Sequence, residues 1–490
     1  MALSDGTGTR RLREVPVQAL DVGRLASIVG RERIERFGRI AAAMRDALGG
    51  RVVFNVNSTA AGGGVAEMLQ SLLAYVRGAG VDARWLVIDG DPEFFAITKR
   101  LHNGLYGSDG DGGPLGPAER ARYDEVARRN ADELAAVVRP GDVVIVHDPQ
   151  PAGLTAAARR AGAIVVWRCH IGAEEQNEWT ARAWEFLRPR LETVDAIVVS
   201  RPSFAPPWAE RERVHAIPPS IDPFAAKNAA IPDEEVLHAL CSAGLLAGAE
   251  PSAPLAFLHR DGSPGRVVRA VDVLQTGPPP PPDAPLVAQV SRWDWMKDMA
   301  GVMEGFAAHV DRALGAHLLL VGPAVTGVAD DPEAATVLDD CMRRWHALPH
   351  AARERIHLAC MPMHDPDEQA AVVNAVQRHA AVVVQKSIAE GFGLTVAEAM
   401  WKRRPVVASA VGGIQDQIDD GVNGVLLADP GDLPAFGCAL ERLLADPELA
   451  DRLGEAAYAR VVDQFLGDRH LERWAGLLAT LVGDAARHAI

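Results

Sequence analysis

The sequence predicts an α/β protein made of two doubly wound, Rossmann-like domains, and three observations carry that expectation. At 490 residues the chain is too long for one ordinary hydrophobic core. Short continuous apolar runs alternate with helical stretches, the pattern of a parallel sheet covered on both faces. That pattern runs once, breaks at a proline-rich stretch, and then restarts.

Residues 1 to 14 are polar and glycine-containing and read as loose, and Val22 to Leu48 reads as helix. The first strand is Arg51 to Val56, followed by NSTAAGGGVAEML, where Gly62 to Gly64 separate strand from amphipathic helix. This loop lacks both the GxGxxG spacing of a dinucleotide site and the GK[ST] ending of a P-loop. Gly63 and Gly64 therefore read either as a tight turn or as a backbone contact for a donor phosphate. Further strands are expected at Arg84–Ile88, Asp142–His147, Ala163–Trp167, Asp195–Val199 and Arg213–Ile217. Residues 223 to 275 read mainly as helix, and GPPPPPDAP, 277–285, as a stiff linker between domains 1–276 and 286–490. Beyond it, strands are expected at Leu286–Val290, His317–Val321, Arg355–Ala359, Ala381–Val384, Pro405–Ala408 and Gly424–Leu427. Doubly wound sheets bind ligands outside the carboxyl ends of their strands, so two facing each other would enclose a cleft. Three closing helices follow. The last carries Leu471, Trp474, Leu477, Leu478 and Leu481 as one apolar stripe, read as packing that folds back on the first domain.

Composition narrows the function. Fifty basic against 65 acidic residues leave a net charge of −15, which repels nucleic acid and anionic membrane surfaces. An anionic ligand must then be held by a local basic cluster. Five scattered cysteines form no CxxC pair, which suits a reducing cytoplasmic setting. No stretch has the apolar core of a signal peptide or the length of a membrane span, so a soluble protein is expected. Oligomeric state is unreadable, which leaves room for a homodimer.

The chemistry gathers in a few loops. KSIAEGFGLTVAEAM, from Lys386, reads as loop and helix after a buried strand, with Glu390 before a glycine hinge and Glu398 after it. Gly391 and Gly393 let the backbone turn and approach a ligand, and the amides from Gly391 through Phe392 and Gly393 to Leu394 lead into a helix N-terminus, which attracts anions. Glu390 and Glu398 can accept from hydroxyl groups, with sugar and ribose the natural candidates. In VSRWDWMKD, Arg292 and Lys297 sit between a strand end and a helix start, the composition of a diphosphate clamp. In the first half, HDPQPAGL supplies Asp148 and Gln150 as groups that could orient an acceptor, Asp148 polarising the attacking hydroxyl. WRCHIG supplies His170 at a strand end, and Asn57, directly after the first strand, is a further acceptor-binding candidate. Asp89-Gly90-Asp91 has the DxD form of a metal site but reads as a turn. His357, Cys360 and His364 lack a convincing fourth ligand, so no metal is expected.

The Glu-x7-Glu motif with its Gly-Phe-Gly centre resembles that of GT-B retaining glycosyltransferases of the glycogen-synthase-like class, family 4. Together with NSTAAGGGVAEML, GDPEFF, KRLHNGL, HDPQPAGL, WRCHIG, IPPSIDP, VSRWDWMKD and EGFGLTVAEAMWKRRPVVASAVGGI, it resembles the trehalose glycosyltransferring synthases from about Val22 onward. The long proline run and the GAEEQNEW continuation after His170 depart from that pattern. The resemblance implies a first domain for acceptor glucose and a second for a nucleoside diphosphate glucose, joined reversibly into α,α-trehalose. It implies that Arg292 and Lys297 neutralise the leaving diphosphate, Glu390 holds donor sugar hydroxyls, Glu398 holds the ribose, and Asp148 and His170 position the reacting pair. No residue is an obvious covalent nucleophile, so front-face displacement with retention and no metal is the expected mechanism. A trehalose phosphorylase of the same fold and a noncatalytic sugar-nucleotide sensor remain open alternatives, and the base preference is unreadable.

Overall fold

The computed structural model describes residues 12–60, 63–248, 256–259, 262–325 and 333–488. The chain forms two compact units, residues 1–219 with 467–490, and residues 220–466.

The first unit holds strands β1 (Arg13–Val15), β2 (Val53–Asn57), β3 (Ala83–Val87), β4 (Val143–His147), β5 (Ile164–Cys169), β6 (Ala196–Val199) and β7 (Val214–Ala216). Their order is β1-β3-β2-β4-β5-β6-β7, all parallel except the edge strand β1. Side chains alternate between two cores. Phe54, Val56, Val144, Val146, Val165 and Trp167 pack with Phe94, Leu101, Tyr123 and Leu187 on one face. Val53, Val143, Ile145, Ile164 and Val166 pack with Met44, Leu48, Leu477 and Leu478 on the other. The second set brings in the closing helix Gly467–His488, whose apolar stripe covers the sheet of this first unit.

The second unit carries a helix, Asp233–Ser242, and then a two-stranded ribbon, β8 (Ala256–Leu258) with β9 (Pro264–Arg266). Its sheet comprises β10 (Asp272–Leu274), β11 (Leu286–Val290), β12 (His317–Pro323), β13 (Ile356–Met361), β14 (Val382–Gln385), β15 (Val406–Ser409) and β16 (Val425–Leu427). The order is β10-β13-β12-β11-β14-β15-β16, with only β10 antiparallel. The order turns back between β11 and β14, where doubly wound sheets bind their ligands. Its core is set by Val287, Leu318, Leu320, Val382 and Val407 against Trp293, Phe306 and Phe436.

Several expectations need correction. Arg13–Val15 is not loose, because it pairs with β3 at the sheet edge. The Val22–Leu48 helix is broken at Gly30, whose φ of 83° no continuous helix accommodates. Among the described residues of 223–275 there is one helix of ten residues, Asp233–Ser242, and otherwise strands and loops. The proline run is not the passage between the units, which the chain makes at 219/220 and again at 466/467. The physical reason is that the preceding stretch is tied into the second unit. The side chains of Asn374 and Arg378 donate to carbonyls of Ala226, Asn228 and Ala229, and buried Pro280 accepts from the Ala247 N–H at 2.8 Å.

Candidate active site

In the second unit, the loops after β11 and β14 meet. Asp294 is buried and caps the short turn Trp295–Lys297 by accepting from the Met296 N–H, while its other carboxylate oxygen takes Arg292 Nη2 at 3.0 Å. Trp293 is fully buried and anchors the loop through its indole N–H on the Pro323 carbonyl. Lys297 Nζ reaches Glu390 Oε2 at 2.5 Å, and Ser387 Oγ donates to the same oxygen at 3.3 Å. A second ion pair runs the opposite way, from fully buried Lys386 to Asp298. Each loop thus contributes one lysine and one acid to the other. The Ile388 N–H bonds to the Met296 carbonyl, and Gln289 bonds to the Lys297 carbonyl and the Lys386 N–H. These contacts hold the two loops as one piece.

Glu390 and Glu398 are both buried, the second to 3% exposure, so neither is a solvated surface acid. Lys227 Nζ lies 3.6 Å from Glu398 Oε1, and Lys402 donates to the Glu398 carbonyl, Asn228 Oδ1 and Gln377 Oε1. Burial pushes the Lys402 ammonium down to about 7, opposed by the Glu398 charge. In the hinge, Gly393 takes the left-handed conformation (φ 85°) at the start of the helix Leu394–Trp401, whereas Gly391 does not. Phe392 is buried against Phe465 at 5.5 Å, so its carbonyl, accepting from Gln417, is what it offers the loop. A Cβ at Gly412 would lie 1.6 Å from the Glu390 carbonyl oxygen, which shows how closely the VGG stretch presses behind Glu390.

In the first unit, Asn55 in the middle of β2 lies on the same sheet face as His147 and Arg168 near the carboxyl ends of β4 and β5, with His147 opposite Arg168 in register. His147 Nε2 bonds to Asn55 Oδ1 at 3.0 Å and its Nδ1 to His170 Nε2 at 3.2 Å, the rings stacked. Asp148 has a left-handed backbone (φ 66°), and its carboxylate accepts from the His170 N–H at 2.7 Å. Burial raises Asp148 to about 7, against the opposing pull of that N–H and of Arg168. Burial pushes His147 down to about 3, helped by Arg168, and holds His170 well below the usual imidazole range. Both rings are neutral at pH 7.

Of the remaining candidates, Gln150 is half-buried beside the pair, its carbonyl accepting from Tyr123. Asn57 is occupied in shaping the loop: its Nδ2 donates to the Thr59 carbonyl and its Oδ1 accepts from Trp85. Gly63, at φ 106°, caps the helix that begins at Gly64. Asp91 caps the helix Pro92–Leu105 and pairs with Arg122, while the Asp89 backbone bonds to Asn130. His357 is stacked on His317. Among the described residues, one group could hold a metal ion: His259, Asp365 and Asp367, away from these candidates in sequence.

Sequence reasoning missed Asp294, Asp298, Lys386 and Asn55. The first two were legible as helix-cap acids, Asp298 directly before the helix Met299–His309 and Asp294 before its short turn. Lys386 and Asn55 carried no sequence signal, since partners 88 and 92 residues away define them.

Two doubly wound sheets, with cations and acids at the switch point of the second, define a glycosyltransferase of the GT-B fold. Residues 361–460 match the family described as glycosyl transferases group 1, and residues 55–206 match trehalose synthase, N-terminal domain. The chain is 34% identical over 460 residues to trehalose synthase of Pyrococcus horikoshii, covering 93% of this chain and 95% of that one. It belongs to the trehalose synthase family. Trehalose phosphorylase of Pleurotus pulmonarius is 26% identical over 83% of this chain and 54% of its own length. The E. coli trehalose-6-phosphate protein bound with UDP-2-fluoro glucose shares the fold, with a TM-score of 0.63 at 13% identity over 88% of this chain and 99% of that one.

Proposed function

We propose that the protein transfers glucose from a nucleoside diphosphate glucose to free glucose, giving α,α-trehalose with retention. The observation that carries this reading is the meeting of Lys297 and Glu390 at the carboxyl ends of β11 and β14. There Lys297 and Arg292 can take up charge growing on a departing diphosphate, while Glu390 and Glu398 accept from sugar and ribose hydroxyls. The backbone of residues 391–394 lies beside them. Lys297 then exchanges part of its bond with Glu390 for the diphosphate, so that the ion pair keeps each group in place before the substrate does.

In the first unit, Asp148 orients and polarises the acceptor hydroxyl, and neutral His170 offers a hydrogen bond rather than a charge. Leaving-group phosphate assists the acceptor proton. The two cations suffice for the diphosphate in this reading, so chelator leaves activity largely intact, and abolition by chelator with rescue by manganese or magnesium overturns that part. Five cysteines without a disulfide suit a reducing cytoplasm.

Incubation with glucose and a panel of α-linked nucleotide glucoses, followed by proton NMR of the product, tests the reaction. An α,α-linked disaccharide is expected, and a β coupling at the transferred glucose rules out the front-face mechanism. The likeness to the Pleurotus phosphorylase favours one second reading, in which the same cations hold inorganic phosphate. Phosphate-dependent cleavage of trehalose without any nucleotide would establish it.

A further inference from the structure

The ribbon β8–β9 meets the start of the helix Pro366–His379, and three side chains of metal-ligating type come together there. His259, directly after β8, comes from the ribbon, while Asp365 and Asp367 come from the helix start. Each offers one ligand atom, and the three atoms lie within 4.8 Å of one another. His259 Nδ1 is 3.8 Å from Asp365 Oδ1 and 3.7 Å from Asp367 Oδ2. The transfer chemistry proposed above makes no use of these residues.

Helix capping explains only part of this arrangement. Asp365 accepts from the Asp367 and Glu368 N–H groups at 3.0 and 3.1 Å, and acids at a helix start also answer its dipole. That accounts for the two acids and not for the imidazole turned on them. A histidine ion-paired with one acid would close to hydrogen-bond distance, about 2.7 to 3.2 Å. His259 instead stands nearly equidistant from both, and its side chain makes no hydrogen bond among the described residues. The ring is held in that pose. Phe257 meets it edge to face at 4.9 Å, and a Cβ at Gly265, in β9, would lie 2.7 Å from its Nε2. With Nε2 against Gly265, Nδ1 is the nitrogen that faces the acids. The neighbouring Arg269 is drawn to buried Glu368, which also accepts from the Val268 and Arg269 N–H groups at 2.7 and 2.9 Å. Its Nη1 stays 3.9 Å from Asp365 Oδ2.

We infer that His259, Asp365 and Asp367 bind one divalent transition-metal ion such as Zn²⁺, with water completing its shell. Two ligands about 2.1 Å from one ion stand about 3.0 to 3.4 Å apart at octahedral or tetrahedral angles, so small side-chain rotations close the observed spacings onto it. One imidazole with two carboxylates suits such an ion, and the nitrogen ligand disfavours Mg²⁺ and Ca²⁺, which take oxygen. The two carboxylates balance its charge. The ion would staple the ribbon to the helix. A two-stranded ribbon is marginal by itself, and Leu258 and Val268 are exposed, so apolar packing does little to hold this one.

The test uses the full chain, stripped of metal by chelator and dialysis, without nucleotide sugar or glucose, so its result is independent of the proposed transfer reaction. Calorimetry with Zn²⁺ should show a site with a Kd of about 10 µM or tighter, with Mg²⁺ weaker by about 100-fold or more. Zn²⁺ should also raise the midpoint of thermal unfolding, because it binds the folded chain. Asp365→Asn, which keeps the helix cap, and His259→Gln should each weaken that site by about 10-fold or more and remove the rise in the midpoint. Absence of saturable Zn²⁺ binding overturns the inference. So does Mg²⁺ binding as tight as that of Zn²⁺, which reduces the group to an acidic patch, or Zn²⁺ binding that either variant retains in full. If His259→Gln does not fold, Asp365→Asn and the comparison of the two ions decide the matter.

Discussion

Lys297 and Asp148 are the two residues whose chemistry depends most on their surroundings. Lys297 sits on a carboxylate that the proposed reaction would use for hydroxyl groups, so its loss removes a cation and leaves buried Glu390 without that partner. Lys297→Ala and Arg292→Ala should each lower kcat by about 10²-fold, the cost of one preorganised electrostatic donor. Steady-state rates with saturating donor measure this, and wild-type turnover in Lys297→Ala would remove it from the mechanism. Asp148 titrates at about 7, so it is mostly protonated below that pH and a carboxylate above it. Use of the acceptor should therefore improve as pH rises through about 7. Asp148→Asn should flatten that profile while leaving donor affinity nearly unchanged. Collapse of donor binding instead would mean the two units have been assigned the wrong roles.

At the scale of elements, the loop carrying Glu390 is held from behind by the stretch at Gly412. Gly412 adopts φ 49°, and a Cβ there would run into the Glu390 carbonyl. Gly412→Ala should displace Glu390 and lower kcat by about 10²-fold, because a shift of about 1 Å misaligns the reacting groups. Gly421→Ala is the control, since Gly421 has φ 70° with open space around its Cα. It should lose about 1 kcal/mol of stability through backbone strain with little change in rate. Equal losses of rate in both variants would show that strain, and not displacement of Glu390, is responsible. Much of this element was legible: strand, glycine loop and helix follow from apolar runs and glycines at 386–400. The reciprocal ion pairs were not, because Lys297 and Glu390 stand 93 residues apart in the chain.

For the whole molecule, buried histidines dominate the response to acid. His147, His357 and His470 are each pushed to about 3 by burial, so between that value and about 6.5 the native state binds fewer protons than the unfolded chain. Their contribution is present at neutral pH and is lost as pH falls through that window. Raised Asp148 acts oppositely between about 4 and 7, where the native state binds the extra proton. His170 is held low in the same way, so at least four groups against one leave a net loss of about 4 kcal/mol per pH unit on acidification across the shared range. Denaturant melts from pH 7 to 4 should show this, and a stability that is level across that range would contradict the buried neutral histidines.

The sequence alone was enough for the two doubly wound halves, since parallel strands buried on both faces must be short apolar runs and their crossovers must be helices. It also sufficed for the loops that carry Arg292, Lys297, Glu390, Asp148 and His170, because strand ends and glycine turns are local features. Edge strands β1 and β10 escaped it, being three residues long and half polar, with pairing as their only signature. Tertiary structure alone decided where the chain crosses between units, since a proline run looks like a linker until Pro280 is found buried. It alone decided that each cation of the candidate site, Arg292 and Lys297, has an acid beside it. Charge compensation in a fold depends on distances through space, and those are set only once both sheets have packed.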